Sequence, residues 1–123
     1  MALAAIDFQL LANAGFPPVR FAPGDVIFGE GDAGDKMFVI RSGEVVIEKG
    51  GKVIETLSPG SIFGEMALID GSPRSATARA KTACEVAPIT EKSFLFLVHE
   101  TPFFAIAVMR TLADRLRRSG ERV

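Results

Sequence analysis

The residues whose types and spacing could do chemistry lie between Gly60 and Ala80, in the stretch GSIFGEMALIDGSPRSATARA. Phe63-Gly64-Glu65 should open a single helical turn over Glu65–Ile69, and Asp70-Gly71-Ser72-Pro73 should end it. Gly64 allows close backbone approach to a ligand and leaves N–H groups unspent at a helix start. Arg74 then begins a strand, with Ser75 beside it. Amide donors, a helix dipole, a planar cation and a short hydroxyl thus meet on one loop, a combination suited to a phosphate. Glu65 is out of place against a phosphate. It fits a sugar hydroxyl, whose proton it would accept while Arg74 meets the charge. A ligand with a phosphate and a ribose 2′-hydroxyl close together, as in a cyclic nucleotide, satisfies both demands.

The elements that must position this loop are mostly strands. From Val19 to Thr90, short apolar runs alternate with turn signals. Strands are expected at Val19–Phe21, Asp25–Phe28, Lys36–Arg41, Glu44–Lys49, Lys52–Leu57, Ser75–Ala80 and Cys84–Ile89. Gly50-Gly51 is a strong hairpin signal, because both central residues can take positive φ. Pro23-Gly24-Asp25 and Pro59-Gly60 mark further turns, and Gly24, Gly31, Gly34 and Gly43 read as turn positions. Many short strands with Gly-rich turns indicate a β-barrel, roll or sandwich.

Helices flank the β region. Leu3, Ile6, Leu10 and Ala14 recur at helical spacing over residues 2–14, before Gly15 and the Pro17-Pro18 block. At the other end, Thr90 can cap a helix from Glu91 to about Glu100. Thr101-Pro102 then starts a second, with proline where its missing N–H costs nothing. Phe104, Val108, Leu112 and Leu116 form its apolar stripe.

Composition bounds the function. With 123 residues, 48% of them hydrophobic, there is room for one domain with a real core. A formal net charge of −1 argues against nucleic acid bound through a general basic surface. Cys84 is the sole cysteine, which rules out an intramolecular disulfide and fits a reducing, cytoplasmic setting. The longest apolar run, Phe103–Met109, is far shorter than the ~20 residues a bilayer span needs, so no membrane contact is expected of this chain. A metal site needs a set of matching partners, and no such set clusters with His99, the only histidine, so no metal or other cofactor is expected.

The stretch resembles the phosphate-binding cassette of the cyclic-nucleotide-binding domain family, which includes the catabolite activator protein, protein kinase A regulatory subunits and cyclic-nucleotide-gated channels. Phe63-Gly64-Glu65-Met66-Ala67-Leu68 and Arg74-Ser75-Ala76 stand at the family's separation. Pro23-Gly24-Asp25, Gly31-Asp32, Phe38-Val39-Ile40 and Gly43 fall where its β-roll glycines and strands fall. The resemblance implies a mainly β fold: an eight-stranded, jelly-roll-like β-roll with a short N-terminal helix and two C-terminal helices. It implies one domain over 1–123, with the roll at 19–90, the cassette at 63–76 and the helices at 91–118. It further implies that Arg74 and Ser75 hold the cyclic phosphate of cAMP or cGMP. Glu65 would hold the 2′-hydroxyl, Gly64, Met66 and Ala67 would line the cradle, and Ile47 would wall the base. The last helix would move over the pocket, with Leu112, Leu116 or an arginine capping the base. The implied function is a non-enzymatic sensor, whose remaining partner is a second copy of the chain or a downstream effector.

Blander readings stand beside these. Arg74 could be a structural arginine paired with Asp70 or Glu65, and Ser75 an ordinary strand residue. Arg79 and Lys81 read as solvated strand-edge charges. Arg110, Arg115, Arg117, Arg118 and Arg122, diluted by Asp114 and Glu121, read as a solvated helical face. The whole could be an interaction or dimerisation module that keeps the fold without the ligand. An enzymatic β-barrel finds no Ser/His/acid set in its support.

Overall fold

The computed structural model describes residues 17–118. The helix expected over 2–14 lies outside the described residues, as do Glu121 and Arg122. Eight strands are present: β1 (Val19–Phe21), β2 (Val26–Phe28), β3 (Lys36–Ser42), β4 (Val45–Lys49), β5 (Lys52–Leu57), β6 (Ile62–Phe63), β7 (Thr77–Ala80) and β8 (Cys84–Thr90). They form two antiparallel sheets of four, ordered β1-β8-β3-β6 and β2-β7-β4-β5. Successive strands repeatedly change sheet, which is the winding of a β-roll.

Local signals explain most of the strands. Gly50 and Gly51 take φ of 59° and 80°, and the β4–β5 hairpin closes around them with Lys49 opposite Lys52. The inward residues Ile40, Val45, Leu57, Phe63, Ala78, Ala80, Cys84 and Val86 make a buried core, against which Phe21, Ile27, Phe28, Phe38 and Ile47 pack. Strand β3 is buried on both faces: Met37, Val39 and Ile40 are all fully covered.

Two differences from the sequence reading concern the cassette. Ile62–Phe63, assigned to no strand by its pattern, is β6, pairing with Val39 and Phe38. Strand β7 starts at Thr77, so Arg74 and Ser75 belong to the loop before it. Backbone bonds explain this: Arg74 N–H donates to the Asp32 carbonyl at 2.8 Å, and Gly31 N–H donates to the Arg74 carbonyl at 2.8 Å. The segment is tied to the β2–β3 loop before it joins the sheet. Arg79 also differs. Its strand is an inner one, and its Nε donates to Glu48 at 3.2 Å while Nη1 donates to the Gly24 carbonyl at 3.0 Å.

The cassette helix, α1 (Glu65–Asp70), is flanked by Gly64 and Gly71 in left-handed conformations, with φ of 76° and 71°. The roll, ending at Glu91, is one compact unit, and the chain from Lys92 onward belongs to a second. That second unit carries α2 (Glu91–Glu100) and α3 (Phe103–Arg118), bent by 116° at Thr101-Pro102. Phe104 is buried there and meets Phe94 edge-on at 5.3 Å. Among the described residues, no single helix is long and apolar enough to cross a membrane.

Candidate functional site

Arg74 and Glu65 are the two charged residues of the described chain that the fold buries, at 7% and 5% exposure. Burying an ion is costly unless its hydrogen-bonding groups are met. The guanidinium meets that demand through backbone carbonyls: Nη1 donates to the Gly64 oxygen at 2.7 Å and Nη2 to the Lys36 oxygen at 2.8 Å. Its Nε is buried with no partner among the described residues. Its Cζ lies over the Phe28 ring, 4.1 Å from the centroid, and 5.9 Å from that of Phe38.

Two glycines close on the same side chain. A Cβ on Gly34 would stand 2.4 Å from Arg74 Nε and 2.8 Å from the Ala67 Cβ. A Cβ on Gly64 would stand 2.7 Å from Arg74 Nη1. No L side chain fits either place without displacing the guanidinium. The β2–β3 loop brings Gly34 in because it is folded on itself and tied to β7: Asp32 Oδ2 accepts the Gly29 N–H at 2.9 Å, and the Glu30 N–H donates to Thr77 Oγ1 at 3.0 Å.

Burial pushes the Arg74 pKa down from its ordinary value, while the charges of Asp35, Glu65 and Asp32 oppose that shift. An arginine starts so high that it stays protonated. The result is a buried cation with three carboxylates acting through space and its two hydrogen bonds spent on neutral carbonyls. Of five guanidinium N–H donors, two are used by these bonds. Asp70, the other partner considered for Arg74, instead accepts hydrogen bonds from the Ser72 backbone N–H, at 3.0 Å, and from the Ser72 hydroxyl. Those bonds hold the Asp70 carboxyl below its usual range.

The structure brings Gly64, Glu65, Ala67 and Arg74 together. Ala67 is buried in α1, where its carbonyl accepts the Gly71 N–H at 3.0 Å. Met66, on the same helix, is 45% exposed. Ser75 is exposed next to Arg74. Ile47 is half-buried on β4, paired with Ala78 and packed against the core cluster. Three participants escape the sequence reading: Gly34, Phe28 and the Lys36 carbonyl. Only the Gly-rich composition of Gly29–Gly34 signalled a close approach there. Among the described residues, no three of His, Cys, Asp and Glu come together to hold a metal ion.

Residues 18–101 match the family model described as the cyclic nucleotide-binding domain. The chain is 39% identical over 103 residues to the potassium/sodium hyperpolarization-activated cyclic nucleotide-gated channel 2 of Mus musculus, an overlap of 83% of this chain and 12% of the channel. The catabolite activator protein of Thermus thermophilus superposes with a TM-score of 0.80 at 32% identity, over 94% of this chain and 56% of that one. A cAMP-bound PfPKA-R structure superposes with a TM-score of 0.70 at 32% identity, over 87% of this chain and 38% of that one. The chain therefore spans only a small part of the channel it matches and about half of the activator protein. With a family model matched from the first strand to the end of α2, the chain belongs to the cyclic nucleotide-binding domain family.

Proposed function

We propose that this chain is a non-enzymatic sensor of cAMP, with cGMP as the weaker ligand. The observation that carries the reading is the state of Arg74: buried, charged, hydrogen-bonded to two neutral carbonyls and keeping unspent N–H donors. A structural arginine of the same burial would be expected to spend its charge on a carboxylate. In this reading Arg74 meets the exocyclic oxygens of the cyclic phosphate, and Ser75 adds a hydroxyl donor. Glu65 accepts from the ribose 2′-hydroxyl, the backbone of Gly64, Met66 and Ala67 completes the cradle, and Ile47 walls the base. The preference for cAMP rests on serine at position 75; in the family a threonine there often accompanies selectivity for cGMP.

Signal output belongs to the C-terminal helix, with Leu112, Leu116 or a helical arginine meeting the base. Ligand can shift that helix only by as much as it prefers the closed state. A second copy of the chain or an effector protein then reads the shift.

Calorimetric titration with cAMP and cGMP tests the reading. The unaltered chain should bind both, cAMP more tightly. Removing one partner of a buried charge pair costs about 2–5 kcal/mol, so Arg74→Ala should weaken binding by about 30- to several-thousand-fold while the chain stays folded. Normal binding by that variant would dismiss the assigned phosphate site. No heat and no thermal shift with either nucleotide would favour the ligand-free interaction module.

A further inference from the structure

The aromatic ring beneath Arg74 has no place in the ligand contacts above. Strand β2 is irregular: Val26 pairs with Arg79 and Phe28 with Ala78, so the register slips between them. Such an irregularity re-aims side chains, and here Ile27 and Phe28 both pack against the core although they are adjacent. The Phe28 ring is backed by Phe63 and Phe38, with centroids at 5.9 and 6.0 Å, and those two rings stack on each other at 5.2 Å. It also abuts the glycine corner: its edge is 3.1 Å from where a Gly64 Cβ would stand. A braced aromatic face therefore lies under the guanidinium, with Cζ 4.1 Å from its centroid.

All the hydrogen-bond donors of a guanidinium lie in its plane. A ring face therefore attracts the cation without competing for those donors. The carbonyls of Gly64 and Lys36 fix two in-plane directions, and the ring restrains motion out of the plane. A free arginine side chain loses rotamer entropy when it is fixed, a cost that falls on the binding step unless the fold has met it beforehand.

We propose that Phe28 is a positioning residue for ligand binding: its ring face, braced by Phe38 and Phe63, holds the Arg74 guanidinium in its binding orientation before ligand arrives. This rests on the sensing role of Arg74 proposed above.

The test compares cAMP affinity of the unaltered chain, Phe28→Leu, and a chain carrying difluorophenylalanine at position 28. Fluorination keeps the ring and weakens the negative charge of its face. Phe28→Leu should lower cAMP affinity by about 2- to 30-fold, the range expected for a cation over an aromatic face. The fluorinated chain should lose less, in the same direction, with its melting temperature unchanged. In the ligand-free protein, the Arg74 side-chain N–H resonances should be shifted upfield by the ring current and should lose that shift in Phe28→Leu. Equal cAMP affinity in the unaltered and fluorinated chains, or unshifted Arg74 resonances, would overturn the proposal. If Phe28→Leu does not fold, the fluorinated chain and the resonances decide alone. Should the unaltered chain bind no cyclic nucleotide, the sensing reading itself fails, and the role given to Phe28 falls with it.

Discussion

The two ends of β3 use the same device for different purposes. At its Lys36 end, Gly34 and Gly64 admit a close approach that buries a cation. At its Ser42 end, some 20 Å along the strand, Gly43 also admits a close approach. A Cβ there would stand 2.2 Å from the Ala83 carbonyl oxygen and 2.6 Å from the Cys84 Cβ, and the residue sits at φ 81°. No charge is buried by it. A cavity of about 550 Å³ does open at that end, lined by Arg20, Phe21, Ser42, Cys84 and Glu85 among others. Its charges neutralise one another near the surface: Glu85 pairs with Arg20 at 2.7 Å, and with Arg41 beside the cavity at 3.7 Å. Unspent donor capacity under burial favours the Lys36 end, and that is the property an anion recognises.

The largest expected effect at the Lys36 end is the loss of nucleotide binding in Arg74→Ala. The sharpest break of the comparison is a pair of smaller changes, Gly34→Ala and Gly43→Ala. Both overpack a close approach, which costs about 1–3 kcal/mol. At Gly43 a positive φ adds about 1–2 kcal/mol. Thermal unfolding should thus show Gly43→Ala to be the less stable of the two. Titration should rank them the other way, with weakened cAMP binding in Gly34→Ala and near-normal binding in Gly43→Ala. If the two lose affinity alike, the two ends are not functionally distinct.

The sequence makes the local half of this contrast legible. The turn of the β4–β5 hairpin is readable to the residue because Gly50-Gly51 fixes it, although β4 begins at Val45 and not at the expected Glu44, and α2 is readable because Thr90-Glu91 and Thr101-Pro102 bracket it. The cassette is readable because its glycine, carboxylate and arginine lie within a dozen residues. What lies outside local pattern was missed. Strand β6 has two residues, too few for any period, and exists through its pairing with β3. Gly34 looks like every other turn glycine until Arg74 arrives from far along the chain. Phe28 reads as a strand end, because a slipped register that aims its ring cannot be seen in the order of residues. Arg79 reads as an edge charge because sheet order, which makes β7 an inner strand, is a property of the whole roll.

A smaller effect sharpens the comparison from the charged side. Arg20→Ala removes an exposed cation whose side chain is 82% accessible, from a pair whose stability contribution is about 0–1 kcal/mol. Its unfolding should differ little from that of the unaltered chain, and its cAMP titration should be unchanged. A marked loss of binding would move the site toward the cavity.

A last contrast, silent in nucleotide affinity, separates the two ends by what burial does to an ionisable group. Burial pushes both Arg74 and Cys84 toward their neutral forms. The guanidinium begins so high that it remains a cation, whereas the thiol, raised from 9.0 by burial and further by the Asp25 charge, remains protonated. Only thiolate reacts readily with alkylating agents. Iodoacetamide at about pH 8 should therefore modify Cys84 at least tenfold more slowly in the folded chain than in urea. The linkage has a definite sign. Because the folded thiol binds its proton more tightly than the unfolded one, the stability it contributes is complete at neutral pH and declines as pH rises through 9.0 toward the raised folded value. Cys84→Ala should remove that alkaline decline without touching nucleotide affinity. Rapid alkylation of the folded chain would mean that the Ser42 end opens in solution, and that its closed packing does not distinguish it from the Lys36 end.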